Sequence, residues 1–549
     1  MATDRKPTAA TGSGLVLTVL ASSQFLMTLD ASVMNVSLAT VAADLGTTIT
    51  GIQTAVTLYT LVMATLMITG GKIGTILGRR RAFAVGLGIY GLGSFVTTVA
   101  PNLTVLLIGW SLLEGIGAAL IMPAIVALVA ANFPPERRSA AYGLVAAAGA
   151  AAIAAGPLIG GAVTTFASWR YVFLGEVVLV VIILLMLRRI KDVAPAKVHL
   201  DLAGSALSVL SLGMLVFGVL RSSEWGWIQA KPGGTEILGL SPVVWLLLGG
   251  SVLLYVFLRW QTHLADRGGE PLIDPRLLRN RQLTGGLSMF FAQFTVQAGV
   301  FFAVPLFLSV VLELNALQTG LRILPLSLAL LVAAGGIPKL WPHASPRRVV
   351  RLGLMSMIAG ILFLVAGMDP GANAAVVAVP MVLLGLGLGA LAAQLGAVTV
   401  SAVTDSQSAE VGGLQNTATN LGASLGTALI GSVLIATLSA SIVAGIQADP
   451  AVPPSVKEQA TTELATGVPF LSDTELRTKL ESAAVPEDTS ANILEVNSTA
   501  RLDALRVAFS LAAFLAVGAL FFTGRIPRQP VGAPDRNDID ATPASDNPE

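Results

Sequence analysis

The sequence predicts an all-α integral membrane protein with about fourteen transmembrane helices. Of its 549 residues, 54% are hydrophobic and only 12% are charged, whereas soluble domains usually carry about 25% charged residues. The apolar residues fall into about fourteen runs, each close to the roughly 20 residues that a spanning helix needs. The first run contains Asp30 and opens a series of similar runs, so we interpret it as a helix rather than a signal peptide.

The remaining composition argues against several classes of protein. A formal charge of +1 gives no electrostatic basis for a nucleic-acid partner. The chain has no cysteine, and its three histidines are too scattered for a metal site. The sequence has no phosphate-binding G-x-x-x-x-G-K-[ST] loop and no evident set of nucleophile and base. We therefore expect no cofactor, no metal, no ATP-driven transport and no enzymatic activity.

The distribution of basic residues predicts how the chain crosses the membrane. If the N-terminus is cytoplasmic and each run crosses once, most of the 33 Lys and Arg residues fall on the cytoplasmic side, as the positive-inside rule requires. We predict a multi-pass protein of the cell membrane with both termini in the cytoplasm. The predicted parts are a cytoplasmic tail (1–14), a six-helix half (15–187), an inserted two-helix region (188–282), a second six-helix half (283–523) and a disordered cytoplasmic tail (524–549).

A polar segment at 446–500 interrupts the second half and is predicted to lie outside the cell. Its acidic residues outnumber its basic ones. The stretch S-D-T-E at 472–475 has the spacing of a helix capping box, so we expect part of the segment to be helical.

The two halves share a repeated feature. Glycine and arginine pairs recur with similar spacing in two predicted cytoplasmic turns, at 70–86 and at 335–353. Each turn joins the second and third helix of its half. The repeat favours a transporter built from two related six-helix halves with its substrate site between them.

Four motifs identify a family resemblance. They are L-D-A-S-V-M-N-V-S-L (29–38), G-G-K-I-G-T-I-L-G-R-R-R (70–81), A-A-G-P-L-I-G-G-A-V (154–163) and W-R-Y-V-F-L-G-E-V-V (169–178). In order and position they resemble the signatures of the fourteen-helix drug:proton antiporters of the major facilitator superfamily. The resemblance implies that fold, with export driven by the proton gradient.

The resemblance also implies roles for two of these motifs. The second motif would form a cytoplasmic gating turn in which Thr75 stands where the family usually has Asp, which implies a weaker contact or one rerouted to an acid elsewhere. The fifth-helix motif would pack that helix closely against the eleventh helix, across the two halves. The residues concerned are Gly71, Lys72, Thr75, Gly78, Arg79, Arg80 and Arg81 in the turn, and Gly156, Pro157, Gly160 and Gly161 in the packing motif.

Three carboxylates inside predicted spans are candidates for proton coupling, because an ionisable residue in a span is costly and usually functional. They are Asp30, Glu114 and Glu176. The rise per residue places Glu114 near the midplane and the other two in the outer half. The family resemblance implies that the first and fourth helices line the central cavity, whereas the sixth is peripheral, so Asp30 and Glu114 are favoured.

The fourth helix departs from the family pattern. Ser111 and Glu114 stand where the family usually has Arg and Gln. A cavity that gains an anion and loses a cation favours cationic substrates.

Further polar and aromatic residues are candidates for lining the substrate cavity, although interhelical hydrogen bonding or plain packing is an alternative for each. They are Gln24, Asn35, Tyr59, Trp110, Gln293, Gln297, Phe301, Gln394, Asn416 and Asn420.

Together these features predict proton-coupled efflux of hydrophobic or cationic small molecules by alternating access. The expected partners are the small substrate, protons and membrane lipids, and we expect a monomer. The alternative is export of a lipid or an endogenous metabolite, in which case the 446–500 segment would dock an envelope partner.

Overall fold

Fourteen long helices form the part of the protein that the structure describes. The computed structural model describes residues 10–47, 49–187, 190, 199–231, 234–314, 316–369, 374–404, 407–448, 470–482 and 487–529. The helices are α1 (Ala10–Asp44), α2 (Ile49–Leu77), α3 (Arg79–Thr98), α4 (Leu103–Asn132), α5 (Pro135–Phe166), α6 (Arg170–Leu187), α7 (Leu202–Trp225), α8 (Pro242–Asp266), α9 (Arg281–Val311), α10 (Ala316–Leu340), α11 (Pro346–Gly367), α12 (Ala378–Val400), α13 (Ser408–Ala448) and α14 (Glu487–Phe522). The predicted tail residues 1–9 and 530–549, and residues 449–469 of the predicted external segment, lie outside the described residues.

The helices confirm the predicted membrane fold. Thirteen of the fourteen are long and apolar enough to cross a membrane. The remaining one, α3, begins with three arginines and contains several glycines, which lower its hydropathy. It nevertheless packs against α4 and α6 on one face, while Leu92 and Phe95 on another face are exposed. Apart from one isolated bridge between Ile237 and Leu240, the described residues form no β-structure.

Local sequence signals set several helix boundaries. Gly78 alone separates α2 from α3 and has φ 92°, a backbone conformation that strongly favours glycine. The side chain of Asn280 accepts hydrogen bonds from the first turn of α9, at 2.9 Å from Gln282 N. Asn102 caps the start of α4 in the same way.

Helices α1–α6 and α9–α14 pack as two groups, each with a large apolar cluster, and the two clusters extend across the interface through Ala147 of α5 and through Leu283, Ala397, Val400 and Val411 of the second group. In the first group α1 packs on α5, and α4 packs on α2 and α3. In the second group α9 packs on α13, and α12 packs on α10 and α11. The inserted pair, α7 and α8, pack on each other, and α7 also contacts α2 and α13, where the two groups meet. The exact domain limits stay predictions.

The two groups meet closely at one end of the bundle, which we call the basic end because it carries Arg79, Arg138 and Arg347. The positive-inside rule predicts that this end is cytoplasmic. Here α5 packs on α10 so closely that a Cβ added at Gly143 would lie 2.7 Å from Ala334 O. Helix α13 approaches α2 with similar closeness, at Gly413.

The predicted contact of the fifth helix across the two halves forms, but its predicted partner, the eleventh helix, is wrong. Helix α5 crosses the interface between the groups to pack on α10 and α12 instead. Two glycines of the packing motif face α1 within their own group: a Cβ at Gly156 would clash with Ser32, and one at Gly160 would lie 2.9 Å from Val33. Gly161 is half-buried, and the side chain of Pro157 lies outside the described residues. The residues that bring α5 against the second group lie nearer its basic end.

Helices α13 and α14 are longer than a membrane span and extend at the end opposite the basic end, which we call the outer end because it is predicted to face away from the cytoplasm. They contain 41 and 36 residues, about 61 and 54 Å at 1.5 Å per residue, against a hydrocarbon core of roughly 30 Å. Between them lies a short helix, Asp473–Ser482, which we call the external helix. The predicted capping box forms, because Ser472 and Glu475 exchange two hydrogen bonds of 3.2 Å.

The external helix is bound to the second group by buried and charged contacts. The fully buried Arg501 of α14 pairs with Asp473 and donates to Leu471 O at 2.8 Å and to Val310 O at 3.2 Å. Glu313, just after α9, accepts from Thr474 N (2.9 Å) and Thr474 Oγ1 (2.7 Å). These hydrogen bonds hold the pKa of Glu313 below its ordinary value. The external helix is therefore fixed to α9 and α14.

The W-R pair at the start of α6 closes the outer end of the first group. Trp169 Nε1 donates to Asp44 Oδ2 at 3.0 Å, and the Arg170 guanidinium pairs with the same oxygen. Arg170 also donates to Ala100 O at 2.8 Å and lies over the Trp169 ring. The hydrogen bonds from Arg170 and Trp169 lower the pKa of Asp44. This motif therefore ties α6 to the end of α1 and to the turn after α3.

We predict that Asp44→Asn destabilises the protein by about 0.2–1 kcal/mol, the range for a solvent-exposed ion pair. Because the pKa of Asp44 is lowered on folding, its contribution is fully present above pH 3.8, the ordinary value. It is lost only as the pH falls through the lowered folded pKa. Thermal unfolding of the detergent-solubilised protein should show the same deficit at pH 7 and pH 5. Glu236→Gln, at an exposed acid, is the control, and an equal effect there would contradict the prediction.

Candidate functional site

Three buried carboxylates from three helices meet inside the first group. Asp30 of α1, Glu114 of α4 and Glu176 of α6 each place one carboxylate oxygen within 4.8 Å of the other two. Their exposed fractions are 0%, 0% and 2%. We call these three side chains the carboxylate cluster. All three were predicted from the sequence as proton-coupling candidates, and the structure brings them together, including the one on the helix expected to be peripheral.

The cluster has few hydrogen-bond donors. Trp110 Nε1 donates to Asp30 Oδ1 at 2.7 Å, and Ser94 Oγ donates to Glu176 Oε2 at 3.2 Å, with Tyr90 OH at 3.5 Å from the same oxygen. The other four carboxylate oxygens, including both of Glu114, are buried and accept no hydrogen bond from the residues that the structure describes.

Among the described residues no Lys, Arg or His pairs with the cluster. Three unpaired negative charges this close in an apolar interior repel one another strongly. The arrangement is therefore suited to hold shared protons. Carboxylate oxygens at this spacing also suit a small hard cation.

Close packing of α3 on α4 builds one wall of the cluster. A Cβ added at Gly93 would lie 2.6 Å from Glu114 Cγ and 2.7 Å from Gly109 O. A Cβ at Gly109 would lie 2.7 Å from Thr97 Oγ1. The facing part of α4, Leu107–Glu114, is a π-helical turn, a feature that often occurs at functional sites. The two glycines therefore let the α3 backbone approach the segment that carries Glu114.

Two aromatic residues predicted to line the cavity belong to this site. Trp110 and Tyr59 stack with ring centroids 5.1 Å apart and an interplanar angle of 6°. Both are almost fully buried, and Trp110 is the residue that donates to Asp30. Ser111, where the family usually has Arg, donates to Ala55 O at 2.8 Å and so ties α4 to α2.

Sequence reasoning missed Tyr90 and Ser94, which hydrogen-bond to Glu176. They lie four residues apart on α3 and therefore share one face of that helix. The same face carries small residues, including Gly86 and Gly93. That polar and small stripe was the available signal that α3 packs inside the group.

The predicted gating turn makes contacts without an aspartate. Thr75 Oγ1 donates to Gly71 O in the preceding turn of its own helix, at 3.4 Å. Arg79 donates to Ala127 O of α4 at 3.3 Å, and Arg80 to Ile190 O at 2.7 Å. Arg81 is exposed.

A charged contact between the groups is made by a different acid. Lys72 Nζ lies 4.0 Å from Glu410 Oε1 of α13 and donates to Pro271 O at 2.7 Å. The exposed fractions of the Lys72 and Glu410 side chains are 6% and 14%. An acid elsewhere therefore faces the turn, as the substitution at Thr75 led us to expect.

The remaining cavity candidates are spread over several helices and do not join the carboxylate cluster. Asn420 of α13 donates to Asn416 O (2.9 Å) and lies 3.5 Å from Met67 Sδ of α2. Gln24 Nε2 donates to Thr28 within α1 at 3.1 Å. The side chains of Gln293, Gln394 and Asn416 are buried, those of Gln297 and Phe301 are half-buried, and that of Asn35 lies outside the described residues.

The sequence profile of the Major Facilitator Superfamily matches residues 20–427, from α1 into α13. The chain belongs to the Major Facilitator Superfamily. Two solved members show the same fold. The proton:xylose symporter XylE aligns with a TM-score of 0.55 at 12% identity, covering 95% of this chain and 97% of its own. The human organic anion transporter MFSD10 aligns with a TM-score of 0.54 at 13% identity, covering 93% and 100%.

Several curated relatives are antibiotic exporters or resistance proteins by name, and others are named only as uncharacterized transporters of the superfamily. The cephamycin export protein CmcT of Amycolatopsis lactamdurans is 31% identical over 426 residues, which cover 76% of this chain and 84% of CmcT. The puromycin resistance protein pur8 of Streptomyces alboniger is 30% identical over 352 residues, covering 63% and 67%. The relatives are transporters, which supports the expectation, at family level, that the chain is not an enzyme.

We predict that Gly93→Ala destabilises the protein by about 1–3 kcal/mol, the usual cost of overpacking, because the new methyl group would overlap Glu114 and Gly109. The measurement is thermal unfolding of the purified protein. Gly88→Ala is the matched control on the same helix, since a Cβ there meets nothing within 4 Å. The control should be neutral or stabilising by up to about 1 kcal/mol. Equal stability of both variants would contradict the described packing of α3 on α4.

Proposed function

We propose that the protein is a proton-coupled exporter of hydrophobic, cationic small molecules, in the fourteen-helix drug:proton antiporter branch of the superfamily. The observation that carries the proposal is the carboxylate cluster, with three buried acids and no basic partner among the described residues. Membership of the superfamily, the names of the relatives and the four motifs support the direction of transport.

The cluster supplies the chemistry that proton coupling needs. Protons neutralise the acids and make their burial tolerable, whereas loss of protons leaves charges that need water or a cation. A cationic substrate and protons would therefore compete for the same negative region. Trp110 of the Trp110–Tyr59 stack donates its indole N–H to Asp30. A charged carboxylate accepts this hydrogen bond more strongly than a neutral one does, so the protonation of Asp30 is linked to the stack.

The packing of the two groups supports an alternating-access cycle. The close backbone approaches at Gly143 and Gly413 and the Lys72–Glu410 pair lie toward the basic end. With that end predicted to be cytoplasmic, this arrangement corresponds to a conformation closed toward the cytoplasm. Separation of these contacts would open the path from the cytoplasm, where an exporter takes up its substrate.

We predict that Asp30→Asn, Glu114→Gln and Glu176→Gln each abolish transport driven by a pH gradient, because each removes a proton-binding group from the cluster. The measurement follows ethidium in proteoliposomes with an imposed pH gradient, and loss means transport at the level of protein-free vesicles. Glu236→Gln should transport like the wild type.

Two outcomes of that experiment would contradict the proposal. If the wild type transports ethidium at a rate that does not depend on the pH gradient, the transport is not coupled to protons. If the wild type moves no lipophilic cation but transports a lipid or metabolite, the protein belongs instead with lipid or metabolite exporters.

We predict that Glu410→Gln favours opening of the basic end by on the order of 1 kcal/mol, or about fivefold in population, because it removes a largely buried ion pair. The cysteine-free chain accepts spin labels at Leu77→Cys and Leu340→Cys, on opposite groups at that end. Electron paramagnetic resonance should show a larger long-distance population than in the labelled wild type. Asp266→Asn removes an exposed pair with Arg276 and is the control. Equal distance distributions in the two variants would contradict the assigned role.

A further inference from the structure

A basic cavity that is wide open to the surface lies at the basic end of the second group, where α9, α11 and the end of α14 meet. Its volume is about 440 Å³. Arg281, Arg347, Arg525 and Arg528 line it. The first two lie at the starts of spans, and the other two lie at and just beyond the end of the last span. The cavity is therefore at the depth of the lipid headgroups.

The four arginines present positive charge that no described acid neutralises. The lining contains no Asp or Glu, and Arg281 and Arg528 form no ion pair with any described residue. Arg347 is held in place by donating to Ile526 O at 2.8 Å and to Gly524 O at 2.6 Å. One wall of the cavity is thus fixed, whereas the exposed arginines are free to contact an anion.

An apolar groove adjoins this cavity on the outside of the bundle. It has a volume of about 430 Å³ and is lined by Arg351, Met355, Leu520 and Phe521. Met355 and Phe521 are 56% and 83% exposed, on the surface that faces lipid. Arg351 Nε donates to Thr523 Oγ1 at 2.9 Å, next to Gly524 in the lining of the cavity. Arg351 therefore lies between the basic cavity and the apolar groove.

We propose that the cavity and groove together bind one anionic phospholipid, with its phosphate among the arginines and an acyl chain along α11 and α14. Guanidinium groups match phosphate oxygens in charge and geometry, and basic pockets at this depth bind anionic headgroups. A soluble phosphate would use only the cavity. The change from a polar cavity to an apolar groove at the membrane boundary fits a lipid.

Lipid titration of the purified full-length protein tests this site, with binding followed by native mass spectrometry. The probes are dioleoylphosphatidylglycerol, dioleoylphosphatidylcholine and inorganic phosphate. Phosphatidylglycerol should bind in preference to phosphatidylcholine, and inorganic phosphate should compete only weakly. The double variant Arg281→Gln/Arg528→Gln should weaken phosphatidylglycerol binding by about thirtyfold, because it removes two basic side chains that would contact the anionic headgroup.

The matched control is Lys339→Gln/Arg348→Gln, which removes two exposed charges from the same end without touching the cavity lining. It should leave binding unchanged. Equal wild-type affinity for the two lipids would overturn the proposal. That result is also the one expected if the acidic residues of the chain's own C-terminal tail occupy the cavity in place of a lipid. If inorganic phosphate competes as strongly as phosphatidylglycerol, the cavity is a site for anions in general and not for a lipid. An equal loss in the control would show a diffuse surface charge effect.

Discussion

Burial of three carboxylates without a cation is the constraint on which the rest of the first group depends. Each acid comes from a different helix, so α1, α4 and α6 must be held in register for the oxygens to meet within 4.8 Å. Helix α3 makes this possible, since its small residues let it press on α4 while Ser94 and Tyr90 reach Glu176. A site of this kind is stable only while its charge is matched by bound protons or another cation. The packing of the first group therefore depends on whether protons or another cation occupy the carboxylate cluster.

The individual residues of the carboxylate cluster could be predicted from the sequence, but their proximity in the folded protein could not. Asp30, Glu114 and Glu176 each stand out because a charge in an apolar run is costly. Their common location depends on helix rotation and packing, which hydropathy does not encode. Tyr90 and Ser94 were missed because neither is unusual in a membrane helix, and Glu410 because it lies at the very start of α13. Spans, by contrast, follow from composition and length alone, and thirteen of the fourteen predicted runs meet both criteria as helices.

The fifth-helix motif shows where a family pattern misleads. Its glycines do permit close approach, as expected of small residues in a membrane helix. They serve the α1–α5 contact within one group, at Ser32 and Val33. The approach to the second group uses Gly143, about a dozen residues earlier in α5 and nearer the basic end. A single helix therefore carries two sets of small residues, one for each neighbour, and a motif read from sequence does not show which neighbour it serves.

The external helix has a consequence for imaging this protein. Its contacts run to Glu313, just after α9, and to Arg501 of α14, which itself donates to Val310 O of α9, so all of them lie within the second group. An antibody fragment raised against this helix would therefore bind only the second half of the transporter. It would give a small membrane protein a recognisable shape for particle alignment in electron microscopy, and it would leave the movement of one half against the other unrestrained.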